Sequence, residues 1–192
     1  RIEETKMDFI KKTLKVSAIG ALTATLAFGV LDAKAEDAGT NITATVSNAF
    51  TLTETQALAF GTFTAKNDAT DTSTILIAPD GSAPVYGNPG DARIVEVAAG
   101  NMGIFDVTGA APNAALDITL PTGPLTMTCG TCTASNEDFS IDTFTSDPAT
   151  TATTDAAGDV TVNVGATLST VASANAYEDG AYSVAYTVSL NY

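Results

Sequence analysis

Cys129-Gly130-Thr131-Cys132 holds both cysteines of the chain and is the first place to look for chemistry. A CxxC pair does redox work when one thiolate is held at low pKa by a helix N-terminus or a nearby cation. Here the flanking segments are β-like and the chain is strongly acidic, so neither device is at hand. Two cysteines also fall short of the four ligands of a tetrahedral zinc site. The expectation is a structural disulfide, Cys129 to Cys132, clamping a turn in an oxidising compartment. Its loop is short, so its entropic contribution is small.

The acids are the other chemical resource. Asp68 with Asp71, or Asp138 with Glu137 and Asp142, offer carboxylates for calcium, but neither run has the spacing or glycine hinge of a calcium loop. Paired carboxylates for glycoside hydrolysis need a defined separation, and no acidic pair here has a distinctive context. There is no histidine. That removes the usual general base, the Ser-His and Cys-His nucleophile pairs and the commonest zinc ligand. No GxGxxG or P-loop is present for a nucleotide cofactor. The sequence predicts no enzyme, no metal and no cofactor. Asn41-Ile42-Thr43 is a formal glycosylation sequon set in a β-like stretch.

The elements that must position these residues begin with the N-terminus. Lys11, Lys12 and Lys15 precede a mostly apolar stretch, 16–31, and Ala33-Lys34-Ala35 follows as a small-x-small site. That order is the layout of a cleavable signal peptide over residues 7–35. A spanning anchor wants about 20 clearly apolar residues, and Gly20, Gly29 and the threonines dilute this run. Residues 1–6 lie outside the pattern and are expected to be upstream of the true start at Met7. Cleavage leaves Lys66 and Arg93 against eighteen Asp and Glu, a formal charge of −16. Such a surface repels nucleic acid and anionic lipid and suits a soluble or assembled extracellular domain with no membrane span.

The remainder is rich in Thr, Val, Ala, Ser and Gly and shows period-2 alternation rather than helical spacing. Ile42, Ala44 and Val46 alternate with polar partners. Phe50 and Leu52, then Leu58 and Phe60, then Ile75 and Ile77 before Pro79-Asp80-Gly81, mark short strands. Residues 94–98 and 103–107 are expected to form a hairpin about 99–101. Leu116, Ile118 and Leu120; Leu125 and Met127; Phe139, Ile141 and Phe144; and Val160, Val162 and Val164 follow. Stretches 66–72 and 145–159 read as polar loops. The last strand is the clearest: Tyr182, Val184, Tyr186, Val188, Leu190 and Tyr192 face one way. Short strands between turn residues predict an all-β, Ig-like, two-sheet antiparallel sandwich over 49–192.

Residues 41–63, from Asn41-Ile42-Thr43 to Leu58-Ala59-Phe60-Gly61, resemble the start of a secreted bacterial β-family, domain of unknown function 4402. Phe105-Asp106-Val107-Thr108-Gly109, Leu116-Asp117-Ile118-Thr119-Leu120-Pro121 and the closing Gly180-Ala181-Tyr182 to Tyr192 resemble its middle and end. The two ends are also similar to the spore coat U and archaic chaperone–usher pilins. Those commonly carry a first-strand cysteine where this chain has Phe50. The resemblance implies a filament subunit that uses donor-strand complementation, with identical subunits and a chaperone or usher as partners.

The same mode can be read from the residues. Extension 36–48 offers Ile42, Ala44 and Val46 as a donor strand. The apolar face of 182–192 offers an acceptor edge, and such an edge must be covered. The expected product is a fibre subunit at the bacterial surface. The alternative is a stand-alone secreted module that binds carbohydrate or calcium.

Overall fold

The structure, a computed structural model, describes residues 49–133 and 137–192. The predicted signal at 7–35 and the extension with Ile42, Ala44 and Val46 lie outside these residues. Thirteen strands form among the described residues: β1 (Thr51–Gln56), β2 (Thr62–Lys66), β3 (Thr74–Ile77), β4 (Val85–Gly87), β5 (Arg93–Ala98), β6 (Gly103–Thr108), β7 (Ala115–Thr119), β8 (Leu125–Cys129), β9 (Phe139–Asp147), β10 (Thr151–Thr153), β11 (Val160–Ser169), β12 (Tyr182–Ser183) and β13 (Ser189–Asn191). All pairings are antiparallel. The fold is all-β and sandwich-like.

β11 is the spine. One of its edges pairs with β6 through its first half and with β3 through its second, and the other edge pairs with β9. The large sheet runs β1-β6-β11-β9-β8-β12, with β3 and β4 attached beside β11. Val162, Val164, Ala166 and Leu168 alternate onto one face of β11 and are fully buried. Two small sheets cover that face. The β2–β5 pair brings Phe63, Ala65 and Ile94 to a cluster with Ile75, Ile77, Phe139, Ile141, Ala166 and Leu168. The β10-β7-β13 sheet brings Ala152, Leu116, Ile118 and Leu190 to a cluster with Phe105, Val107, Val162 and Val164. The sandwich expected from the alternation is therefore present, with its second layer divided in two. Each fully buried Leu, Ile or Val contributes about 1.5–3 kcal/mol.

The division comes from a corner. Residues 51–66 pair with 93–108 along their whole length, from Thr51 opposite Thr108 to Lys66 opposite Arg93. At the middle Ala59 and Asn101 exchange both backbone hydrogen bonds, at 2.9 and 2.7 Å. On one side of that bridge the ribbon is β1–β6, in the large sheet. On the other it is β2–β5, in the second layer. Strands that turn a corner between sheets need a local break. Gly61 supplies it, with φ of +80° and its Cα so close to Ala98 that a Cβ would stand 2.2 Å from the Ala98 carbonyl oxygen.

Two expectations are corrected here. The hairpin about 99–101 does not form: β5 and β6 diverge because Ile94 and Phe105 bury in different clusters, and Asn101 pairs with Ala59 instead. The separate strand at Leu58 and Phe60 is the corner itself; Phe60 is buried, but the strand begins at Thr62.

Stretch 145–159 is likewise more than a loop. β9 continues to Asp147, and β10 lies within the stretch and pairs with β7. The phase of β9 explains why periodicity hid this. Phe139 and Ile141 are buried at odd positions, whereas Phe144 and Ser146 turn inward at even ones. Thr143, at φ +52°, sits at the irregularity where Gly165 faces Thr145 and Thr167 faces Asp142. The β-bulge inserts one residue and reverses the alternation beyond it.

Candidate strand-acceptor groove

The C-terminal segment alternates as its residues predict as far as Leu190; Tyr192, expected on the same face, is 53 % exposed. Tyr182, Val184, Tyr186 and Val188 are half-buried, Leu190 is buried, and the residues between them are exposed except Ser189. Tyr182 and Val184 pack on the first cluster; Tyr186, Val188 and Leu190 pack on the second. The segment is not one continuous strand, which corrects the sequence reading. β12 pairs Tyr182 with Cys129 on β8, in the large sheet, and β13 pairs Leu190 with Ile118 on β7, in the second layer. Residues 184–188 make the crossing. β7 stops pairing at Thr119, two residues before Pro121, which has no N–H to give a ladder. An open cleft of about 330 Å³, lined by Leu120, Pro121, Leu125, Ala185, Tyr186 and Thr187, marks where the strands part.

Tyr186 joins the two corners. Its ring stacks on Phe144, with centroids 5.6 Å apart, and meets Phe105 edge-on at 6.3 Å. Its hydroxyl points to Gly103, where a Cβ would stand 2.9 Å from the oxygen. The hydroxyl is buried without a hydrogen bond among the described residues; the Leu58 backbone lies close but does not meet hydrogen-bond geometry. Burial, with some help from the Glu54 carboxylate, pushes its pKa up to about 12. Periodicity placed Tyr186 on the inner face, yet nothing in the sequence told that its partner would be a glycine 83 residues away.

Two sheet edges border the second cluster. β1 ends the large sheet and β13 ends the three-stranded sheet, and among the described residues the outer edge of neither carries a ladder partner. Phe50 and Leu52 beside β1, and Val188 and Leu190 at β13, all contribute to that cluster. Tyr192 links the ends of the two edge strands. Its ring meets Phe50 edge-to-face at 5.6 Å, and its hydroxyl accepts a hydrogen bond from the Ala111 N–H at 2.9 Å. Two edge strands thus contribute apolar side chains to one cluster. Tyr182 and Val184, at the start of the predicted acceptor edge, lie against the first cluster instead.

Cys129 and Cys132 lie at disulfide distance, with Cα atoms 5.4 Å apart. The pair does more than clamp its own turn. A Cβ on Gly180 would stand 2.6 Å from the Cys129 sulfur and 2.9 Å from that of Cys132. The bridge thus lies flat on the backbone that leads into β12. Nearby, Thr133 donates through its N–H, at 3.0 Å, and through its hydroxyl to the Glu178 carboxylate. These two bonds hold the Glu178 carboxyl below its usual pKa.

Of the two acidic runs, Asp68 with Asp71 serves a turn, whereas Asp142 lies within β9 and Glu137 accepts a hydrogen bond from Asn175. One oxygen of Asp68 accepts from the Thr70 N–H and hydroxyl at 2.8 Å and from the Asp71 N–H at 2.9 Å, and these bonds lower its pKa. Asp155 does the same for the tight turn into β11, accepting from Ala157 and Asp159. Among the described residues no three His, Cys, Asp or Glu side chains converge to hold a metal ion. No helix of the described residues is long and apolar enough to cross a membrane.

An antiparallel, sandwich-like all-β domain is the class that the fold defines. The chain belongs to the family described as domain of unknown function (DUF4402), whose model matches residues 50–192. No curated protein and no solved structure matches the chain.

Proposed function

We propose that this chain is a structural subunit of an extracellular filament or pilus-like fibre at a bacterial surface, assembled head-to-tail by donor-strand complementation. The observation that carries the reading is the pair of edge strands β1 and β13, without an outer ladder partner among the described residues, beside one apolar cluster. An incoming strand with apolar residues at alternate positions bonds to such an edge and adds its side chains to the cluster. Ile42, Ala44 and Val46 of a neighbouring subunit have that spacing. A contact between one subunit's extension and the next subunit's edge does not close on itself, so it propagates as an open fibre. Export through the signal at 7–35 frees the extension only outside the cytoplasm. Similarity of the chain's ends to the spore coat U and archaic chaperone–usher pilins supports the same reading. Identical subunits, with a chaperone or usher, are the partners, and no catalytic role is assigned.

The test is deletion of residues 36–48. The shortened chain loses polymer, and a synthetic peptide of that stretch restores its thermal stability. If the shortened chain stays monomeric, equally stable and indifferent to the peptide, donor-strand assembly is wrong and a stand-alone binding module takes its place. Electrophoresis of the full chain without boiling gives a ladder for the fibre and a single band for the module.

A further inference from the structure

Lys66 and Arg93 are the only basic residues among the described residues, which carry sixteen acids. The fold puts the two directly opposite each other, across the β2–β5 pairing. Like charges in a cross-strand pair repel; the nearby Asp68 carboxylate, its pKa lowered a little by Lys66 after its turn hydrogen bonds, offsets only part of that charge. Glu96, the acid on the same strand, accepts a hydrogen bond from the Tyr86 hydroxyl at 2.7 Å. Beside the cations on the same outward face stand Val95 and Val97, 55 % and 67 % exposed. Both strands are sheet edges.

We propose that this face, Lys66, Arg93, Val95 and Val97, docks onto the acidic surface of a second copy of this chain. Two copies of so acidic a domain repel in nearly every orientation. Approach onto the face that gathers both cations of the described residues is the exception, and complementary charge there sets orientation and encounter rate. The valines select a protein over an anionic polysaccharide, because a hydrated sugar chain leaves them wet whereas a protein face buries them. The patch is far smaller than the roughly 1,200 Å² of a stable complex, so a single contact is weak and salt-sensitive. The contact is separate from the β1 and β13 edges and does not rest on strand donation.

An equal mixture of unlabelled and ¹⁵N-labelled full-length chain, treated with a carbodiimide that joins amines to carboxylates in contact, tests it. Mixed-isotope cross-links run from Lys66 to acids of the other copy. Their yield drops about threefold or more in roughly 0.5 M salt, and by a similar factor in Arg93→Glu, as expected of a charge-steered contact. Val97→Thr lowers the yield as well. Val46→Asp, which disables strand donation, leaves the Lys66 cross-links in place. Absence of mixed cross-links from Lys66, or a yield indifferent to salt and to Arg93→Glu, overturns the proposal. So does retention on alginate that Arg93→Glu abolishes, if mixed cross-links are absent. The salt series uses the unaltered chain, so a misfolded variant does not blunt the test.

Discussion

The ring of Tyr192 meets that of Phe50 edge-to-face, 5.6 Å between centroids, so the residue just ahead of the first described strand touches the last residue of the chain. Each belongs to a different layer of the sandwich. Their contact ties the end of one edge strand to the end of another.

The hydroxyls of Tyr192 and Tyr186 predict unequal responses. In Tyr192→Phe the Ala111 N–H loses its acceptor, and stability falls by about 0.5–1.5 kcal/mol. In Tyr186→Phe a buried hydroxyl without a hydrogen bond disappears while its ring contacts remain, and stability changes by less than in Tyr192→Phe. Tyr186→Ala removes the ring and costs about 3–5 kcal/mol. Chemical denaturation of the three variants ranks them.

Alkaline titration should separate the tyrosines. Burial, then the Glu96 hydrogen bond, pushes Tyr86 up to about 12, and burial does the same for Tyr186. Both are protonated in the folded chain at pH values where the unfolded chain, with tyrosine near 10, has begun to ionise. Between about 10 and 12 the folded state therefore binds more protons, and stability declines as pH rises through that window. Burial raises Tyr177 as well, so absorbance at the phenolate band shows one fewer late-titrating residue in Tyr186→Phe than in the wild type.

Gly61→Ala tests the corner. A side chain there meets both an unfavourable φ and the Ala98 carbonyl oxygen, and costs about 1–3 kcal/mol or more. Gly109 has a similar φ of +75° with nothing within 4 Å of a built Cβ. Gly109→Ala therefore bears the backbone cost alone, and a thermal melt should show a distinctly smaller loss.

Replacing both cysteines by serine loosens one edge and spares the core. The loop between them is only three residues apart in sequence, so the global loss is about 2 kcal/mol at most. The local effect falls where the bridge rests on Gly180 and where Tyr182 pairs with Cys129. Amide exchange should rise at 180–183 while β11 stays protected.

Alternation made most of the fold legible. Phe105 and Val107, Leu116 and Ile118, and Val162 and Val164 bury the side that period 2 assigns them, because neighbouring strand residues must point to opposite faces. The CxxC pair was legible for the same kind of local reason: three residues of separation leave little choice of partner. Reading failed at the bulge of Thr143, where one inserted residue reversed the pattern, and at Gly61 and Gly100, where a turn-like string marks a corner between layers.

Composition and periodicity by themselves determined the strand class, the inward face of 182–190 and the scarcity of positive charge. Those are properties of single residues and of their nearest neighbours along the chain. Tertiary structure alone decided that β5 leaves β6, that β1 and β13 end different sheets beside one cluster, that the cysteine bridge rests on Gly180, and that Lys66 stands opposite Arg93. Each joins residues far apart in sequence, and each depends on which apolar cluster a strand enters, a choice set by packing between layers rather than by any local pattern.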